Sequence, residues 1–249
     1  MRPEHMRAAQ ALRVLEAERA RRDAHWFLFE SGRLLTKDEH DLSAAVKPFP
    51  DRPYLRALLD CLLVAGRLLP PERARWALEA GIGWAALEQM AQSGVVFFEK
   101  SRQMVVTWLV CAYILWRARS RPHQLCLVQS KKEDDAANLV FNKDWPVARI
   151  SFMEGSLPRH LRVCEWPRAG AFGRLYFPNG SQIWGIPEGG DVVRSNTSSV
   201  VFADEAAFQP EFGASYGAAL PAVKGGGQYI AVSSANPGEF QSLVGAEAA

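Results

Sequence analysis

Four short and almost uninterrupted apolar runs, separated by helical patterns, constrain the fold of this chain more than any other feature. They lie at Gly94–Phe98, Gln124–Gln129, Ser199–Ala203 and Gln228–Val232. Runs of this length without polar alternation are typical of strands that are buried on both faces, as in parallel sheets. Their alternation with helices predicts an α/β fold, in which a mainly parallel sheet is covered by helices on both faces. Asn179-Gly180, between two further short runs, predicts a hairpin turn.

The first part of the chain follows a different pattern. Apolar residues recur at near-helical spacing from about residue 7 to residue 29, and Thr36 precedes three charged residues as a helix-capping threonine would. The segment Lys47–Pro53 holds three prolines and therefore cannot be helical. We place a boundary there, between an N-terminal helical appendage (residues 1–46) and a main domain (residues 47–249).

Composition is that of a globular protein, with 48% hydrophobic and 22% charged residues, and a net charge of +2 does not by itself indicate a nucleic-acid partner. The four cysteines, Cys61, Cys111, Cys126 and Cys164, have no CxxC spacing, so we expect buried free thiols and no metal cluster. The most apolar window, Met104–Trp116, is too short to span a bilayer, and no membrane association is expected.

The run at Ser199–Ala203 is followed by two adjacent acids, Asp204 and Glu205. Ligands of open α/β sheets bind at the carboxyl ends of the strands, where these carboxylates would lie. In phosphate chemistry the first acid would hold Mg²⁺ and the second would orient and deprotonate an attacking water. The alternative is an ordinary helix cap that follows a strand.

The segment Lys100–Thr107 joins the first buried strand to a long apolar helix, which is the setting of a phosphate-binding loop. The usual G-x-x-x-x-G-K-[ST] pattern is absent, because Val105 and Val106 stand where glycine and lysine would be. In the functional interpretation Lys100 contacts phosphate oxygens from the front of the loop and Thr107 binds Mg²⁺. An ordinary solvated loop remains the alternative, since β-branched residues disfavour the left-handed conformation that glycine permits.

Three elements in a fixed order strengthen the functional interpretation. The loop with Lys100 and Thr107 comes first, Asp204-Glu205 follows a later strand, and Ser233–Gly238 follows the last one. This is the order of P-loop ATPases with a catalytic glutamate, in which a third element senses the terminal phosphate. The sequence therefore predicts an ATP hydrolase.

Several segments resemble the large subunit of bacteriophage terminase, the DNA-packaging motor. They are Lys100–Leu109, Gln129–Glu133, Asn179–Ser181, Val201–Phe208 and Ser233–Pro237. The resemblance covers roughly Lys47 to Gly238 and implies a P-loop NTPase fold of the ASCE type that binds ATP and Mg²⁺. Some terminases carry a variant phosphate loop with its lysine at the front, and Lys100 matches that position.

The resemblance also implies roles for particular residues. Lys100, Glu205 and Arg194 would be catalytic, and Arg194 would act on the nucleotide of a neighbouring subunit; a surface arginine is the alternative. Thr107 and Asp204 would hold the metal. Phe49 and Tyr54 are candidates for contacts with adenine. The residues that would contact the nucleotide are Lys100, Ser101, Arg102, Gln103, Met104, Val105, Val106, Thr107, Ser233 and Asn236.

Partners are implied by the family as well: double-stranded DNA, the portal protein, the small terminase subunit and other copies in a ring on the capsid. The expected location is the host cytoplasm and, transiently, the procapsid. Only Glu239–Ala249 follows the last motif, so we expect ATP hydrolysis without the family's nuclease activity. Two alternatives remain open: another nucleic-acid-dependent ATPase of the helicase kind, and a nucleotide-binding assembly protein with an inactive site.

Overall fold

The computed structural model describes residues 3–37, 46–102, 104–142, 148–163 and 173–247. The helices α1 to α10 of this part are Pro3–Arg22, Pro53–Ala65, Arg75–Glu79, Trp84–Ser93, Val106–Ser120, Glu133–Val140, Arg149–Ser156, Asp191–Arg194, Phe212–Lys224 and Glu239–Glu247. The strands β1 to β8 are Leu35–Lys37, Val46–Pro48, Val95–Glu99, Leu125–Ser130, Arg174–Tyr176, Gln182–Pro187, Val200–Asp204 and Gln228–Ser233. A π-helical turn at Trp26–Glu30 and 3₁₀ turns at Pro71–Arg73 and Ala206–Phe208 complete the regular structure.

The centre of the molecule is a six-stranded sheet with the spatial order β3-β8-β7-β4-β6-β5. Every neighbouring pair is parallel except β5 and β6, which form the predicted hairpin with Gly180 at its turn. All four predicted buried strands are present, as β3, β4, β7 and β8. The predicted α/β class with a mainly parallel sheet is therefore confirmed.

Alternate residues of strands β3, β4, β7 and β8 enter two separate apolar clusters, one on each face of the sheet. In β7, Val200 and Phe202 belong to the first cluster, whereas Val201 and Ala203 belong to the second. Helices α2, α5 and α7 cover the first face, and α8, α9 and α10 cover the second. Burial of both faces explains why these strands carry continuous apolar runs instead of alternating patterns.

The N-terminal segment packs on the first face of the sheet. Phe27, Leu28 and Leu34 are at most 2% exposed and share the first cluster with α2 and α5. Strand β1 pairs antiparallel with β2, so that Thr36 lies opposite Lys47. The boundary between residues 46 and 47 remains a prediction, and strand β2 crosses it.

Two details of the predicted N-terminal region are wrong. Thr36 does not cap a helix: it lies within strand β1 and is 2% exposed, in the extended geometry that suits a β-branched side chain. The helical pattern predicted from about residue 7 to residue 29 is not one helix, since α1 ends at Arg22 and a π-helical turn follows it. Ser31 closes that turn, because its backbone amide donates to the Trp26 carbonyl at 2.7 Å.

Three of the cysteines, Cys61, Cys111 and Cys126, are buried free thiols as predicted, and Cys164 lies outside the described residues. None of the helices in the described ranges is long and apolar enough to cross a membrane.

Candidate active site

The parallel strands bring three distant segments to one edge of the sheet. Strand β3 ends just before Lys100, β7 ends at Asp204, and β8 ends at Ser233. The Lys100 backbone amide donates to the Ser233 carbonyl at 2.9 Å, which fixes the start of the loop Lys100–Thr107 against β8. The carboxyl edge of the sheet therefore collects the three elements that the sequence places in order.

Lys100 and Glu205 form an ion pair at this edge. The Lys100 ammonium lies 2.7 Å from Glu205 Oε1; the lysine side chain is 9% exposed and the glutamate 42%. Glu205 has φ +49°, the left-handed conformation that non-glycine residues rarely adopt. Backbone strain of this kind is concentrated at functional sites, where the surrounding structure holds it in place.

Thr107, in the first turn of α5, and Asp204 are directly hydrogen-bonded. The threonine hydroxyl donates to Asp204 Oδ1 at 2.8 Å. Burial raises the pKa of Asp204 above its usual range, and the cations Arg149 and Lys100 and the Thr107 hydroxyl oppose that rise. Burial thus penalises the charged form of the carboxylate, which a further cation would stabilise.

Val105 adopts the conformation that its side chain was expected to prevent. Its φ of +58° and ψ of +10° are left-handed, and it caps the N-terminus of α5, where its carbonyl accepts the Leu109 amide at 3.0 Å. The Tyr54 hydroxyl donates to the Met104 carbonyl at 3.2 Å, so the loop is also tied to α2. The loop therefore turns into the helix as a glycine-containing loop would, at a strain of about 1–3 kcal/mol.

An open cleft of about 700 Å³, here called the main cleft, lies in front of these residues. Its floor contains Lys100, Thr107, Asp204 and Glu205, together with Met104, Val105 and Val106 of the loop. Its opposite wall comes from the N-terminal side of the chain. That wall contains Thr36, Lys37, Lys47, Pro50, Arg52 and Tyr54.

The two aromatic candidates for adenine contact lie in different surroundings. Tyr54 is 38% exposed and lines the main cleft. Phe49 does not line it: its side chain is 5% exposed and packs on Phe29, with ring centroids 6.0 Å apart. Phe49 is therefore a core residue, because the extended strand before it points its ring toward the N-terminal helices.

The remaining predicted loop residues are dispersed. Arg102 lines a neighbouring side cleft of about 610 Å³, which shares Lys100, Asp204 and Glu205 with the main cleft. Ser101 is exposed and is not among the residues that line either cleft. Gln103 lies outside the described residues.

Ser233 and Asn236 hold the segment that carries Glu205 and do not line the main cleft. The Ser233 hydroxyl accepts the Ala207 amide at 3.1 Å, and the Asn236 amide group donates to the Ala207 carbonyl at 2.9 Å. The Ser234 backbone amide donates to Glu205 Oε2 at 3.3 Å. The segment that directly follows β8 therefore contacts the glutamate.

Arg194 is the one predicted catalytic residue that the fold does not bring to this site. It is the last residue of α8, is exposed, and forms an ion pair with Asp191 at 3.2 Å. It lines a different cleft, at the opposite edge of the sheet. A role on a neighbouring copy's nucleotide stays a prediction.

Sequence reasoning missed Arg149 and the wall formed by β1 and β2, and it placed Ser234 within the last motif without naming it as a site residue. Arg149 begins α7, lines both the main and the side cleft, and lies over the Trp108 ring at 5.7 Å. It belongs to no motif, and only its cationic type and its place at a helix start were visible in the sequence. The wall depends on a two-stranded pairing that no local pattern indicated.

The donor set fits Mg²⁺. The Thr107 hydroxyl and the Asp204 carboxylate are hard oxygen ligands that lie within hydrogen-bond distance of each other, and the carboxylate is 7% exposed. Magnesium is usually bound by one or two such protein oxygens, with phosphate oxygens and water completing its shell.

Comparison with solved structures shows which known fold the chain shares. The chain aligns with the large terminase of bacteriophage HK97 over 89% of its own length and 40% of that chain, with 12% identity and a TM-score of 0.55. The chain has the large terminase fold. The resemblance predicted from the sequence is thereby confirmed at the level of the fold.

Two other structures with similarity to the chain are the ATPase domain of the Thermus phage P74-26 large terminase and the large terminase of another thermophilic bacteriophage in complex with ADP. The first has 18% identity and a TM-score of 0.43 over 59% of this chain and 62% of that chain. The second has 15% identity and a TM-score of 0.48 over 71% and 38%. The chain spans less than two thirds of each of these terminases. No protein-family model and no curated protein sequence matches the chain.

Proposed function

We propose that this chain is an ATP hydrolase of the phage terminase kind, which uses ATP and Mg²⁺ to move double-stranded DNA into a procapsid. The observation that supports it most is the convergence of Lys100, Thr107, Asp204 and Glu205 on one cleft. These residues come from segments up to 105 positions apart in the chain. Their types match the tasks of phosphate binding, metal binding and activation of water.

Binding of the nucleotide would begin with the loop. The first amides of α5 point toward its N-terminus, where the helix dipole favours an anion. Lys100 would leave Glu205 and contact the oxygens of the β- and γ-phosphates. The wall with Tyr54 and Arg52 would face the rest of the nucleotide.

Departure of Lys100 gives Glu205 its catalytic role. The freed carboxylate would accept a proton from a water molecule, whose oxygen attacks the γ-phosphorus while the bond to the β-phosphate oxygen breaks, releasing ADP and phosphate. Lys100 and Arg149 would balance the negative charge that shifts onto the leaving oxygen. Mg²⁺ held by Thr107 and Asp204 would supply further neutralisation of the phosphate oxygens.

Release of the γ-phosphate would be transmitted through β8. The Ser234 amide contacts Glu205, and Ser233 and Asn236 bind Ala207 just beyond it. A change in the position of Glu205 therefore moves the end of β8, and with it the segment that leads into α10.

The proposal includes partners that fit this chemistry: double-stranded DNA, the portal protein, the small terminase subunit and other copies in a ring. In the ring Arg194 would contact the neighbouring copy's nucleotide, which its exposure and its distance from the main cleft permit. The proposed location is the host cytoplasm and, transiently, the procapsid.

ATP turnover with Mg²⁺ tests the proposal. We expect Lys100→Ala and Glu205→Gln to lower turnover by about 100-fold or more. The matched controls Lys224→Ala and Glu88→Gln replace exposed residues outside the main cleft and should keep wild-type rates. Wild-type turnover in the Glu205→Gln protein would refute the assigned mechanism. A rate per chain that rises with protein concentration would support completion of the site between copies.

A second candidate is a nucleotide-binding assembly protein without turnover. The left-handed valine in the loop favours it, because its side chain occupies space where other loops have glycine. Binding of ATP by the wild type, with no phosphate release in the presence of Mg²⁺ and DNA, would select this candidate.

A further inference from the structure

A third cleft, here called the rear cleft, opens at the edge of the sheet opposite the main cleft. It has a volume of about 520 Å³ and lies where β4, β7 and β8 begin. That volume is within the range of about 300–1,000 Å³ that is common for small-molecule sites. Arg117 and Arg194 line it, and none of its lining residues, all within the described ranges, is acidic.

Arg117 carries a buried charge without a carboxylate partner. The residue is 5% exposed, and its guanidinium donates to Gln124 Oε1, the Tyr113 hydroxyl, Gln228 Oε1 and the Ser199 carbonyl, at 2.8–3.5 Å. All four acceptors are neutral, and no ion pair of Arg117 occurs among the described residues. Buried charges are ordinarily paired, so an anion in the rear cleft would supply the negative partner that the Arg117 guanidinium lacks.

The same network makes Arg117 rigid. Gly66 packs so closely against it that a Cβ there would lie 2.5 Å from the Tyr113 hydroxyl and 2.9 Å from Arg117 Nη1. The guanidinium therefore keeps one orientation, and an anion that enters the cleft meets a fixed donor instead of a mobile side chain.

Ser198 adds a second, independent sign of a missing ligand. The residue lines the rear cleft, is 5% exposed, and its hydroxyl has no hydrogen-bond partner among the described residues. Buried hydroxyls are nearly always hydrogen-bonded, in proteins or through a ligand or water. The hydroxyl is enclosed in this structure, so it would reach a phosphate oxygen in the cleft by a change of its side-chain rotamer.

Arg194 supplies the second cation, at the rim of the cleft. Its present partner is Asp191, whose side chain is 99% exposed. Ion pairs this exposed contribute little, so Arg194 can turn toward an anion at small cost.

We propose that the rear cleft is a phosphate-binding site formed by Arg117, Ser198 and Arg194. Its ligand is a phosphate group, carried either by a free phosphorylated compound or by a nucleic-acid backbone. Arg194 is shared with the role on a neighbouring copy's nucleotide proposed above, whereas Arg117 and Ser198 have no part in the proposed function. The titration below measures neither ATP turnover nor binding in the main cleft, so its failure is distinguishable from failure of the proposed function.

Calorimetric titration tests the site. The Lys100→Ala protein is used, so that the phosphate loop does not contribute, and pyrophosphate and a short duplex DNA are titrated separately. Thr197 is exposed and lines the cleft, so Thr197→Glu adds a carboxylate with little effect on packing, and Thr197→Gln is the neutral control. We expect Thr197→Glu to weaken binding about tenfold or more and Thr197→Gln to change it by less than about twofold.

The two probes distinguish the possible sources of the phosphate group. A loss of pyrophosphate affinity in Thr197→Glu but not in Thr197→Gln identifies free phosphate compounds as the ligand class. The same loss with duplex DNA alone identifies the nucleic-acid backbone. Binding of neither probe, or equal loss in both variants, overturns the proposal. Where Thr197→Glu does not fold, Ala218→Asp and Ala218→Asn repeat the comparison from the facing wall of the cleft.

Discussion

Replacement of Glu205 by glutamine should move nucleotide affinity and turnover in opposite directions. In the wild type Lys100 must break its 2.7 Å ion pair with Glu205 before it can reach a phosphate. Glutamine keeps the shape of the side chain and removes the charge, so Lys100 is free for the nucleotide. The variant should therefore bind nucleotide more tightly while it loses the base that activates water.

The magnitude follows from the exposure of the pair. Ion pairs at the surface contribute about 0–1 kcal/mol, and loss of one partner from a fully buried pair costs about 3–5 kcal/mol. Lys100 is 9% exposed and Glu205 42%, so this pair lies near the weaker limit. A release of about 1 kcal/mol corresponds to roughly fivefold tighter binding. Turnover should fall by about 100-fold or more.

Titration with a fluorescent ADP measures the affinity, and phosphate release with Mg²⁺ measures the turnover. Glu88→Gln, exposed on α4, should leave both unchanged. Unchanged or weaker ADP binding in the Glu205→Gln protein would refute the view that the ion pair competes with the nucleotide. Tighter ADP binding with wild-type turnover would support competition between the ion pair and the nucleotide, but it would show that Glu205 is not the catalytic base.

Three further variants test separate parts of the structure. Burial raises the pKa of Asp204, so the charged carboxylate destabilises the folded state once the pH exceeds the ordinary pKa of 3.8. Asp204→Asn should therefore raise the melting temperature at pH 7 by about 2–4 °C, although it should abolish turnover. The Arg56 hydrogen bonds lower the pKa of Asp51, so their stabilisation is complete above pH 3.8 and is lost as the pH falls through the lowered pKa. Urea unfolding of Asp51→Asn should show a loss of about 0.2–1 kcal/mol at pH 7, and this loss should shrink as the pH falls through the lowered pKa. Arg194→Ala should lower turnover about 1,000-fold, and mixing it with Glu205→Gln should restore part of the activity if Arg194 acts in trans, whereas no recovery would place it elsewhere.

The sheet could be predicted because its strands are buried on both faces. Runs such as Val200–Asp204 have no polar alternation, and the order of the strands along the chain placed Lys100, Asp204 and Ser233 at one edge without any knowledge of distances. Lys100, Thr107, Asp204 and Glu205 lie close together because the strands that precede them end at this edge of the sheet.

What the sequence could not show depends on contacts between distant segments. The pairing of β1 with β2 joins two three-residue strands that carry no pattern of their own. The left-handed Val105 contradicts the local preference of valine, and tertiary contacts such as the Tyr54–Met104 hydrogen bond accompany it. Arg149 lies in the site because α7 packs against α5. Residue preferences act locally, whereas these features are decided by the whole fold.

The short β1–β2 pairing has a thermodynamic consequence. Strand β1 lies before the predicted domain boundary, yet Thr36 and Lys37 belong to the wall of the cleft in which ATP is proposed to bind. If a nucleotide touches that wall, it stabilises the docked position of the N-terminal segment, and by linkage the docked segment strengthens nucleotide binding by the same factor. Any protein that holds or displaces α1 would then act as an allosteric effector of the ATP site, from a surface that never meets the nucleotide.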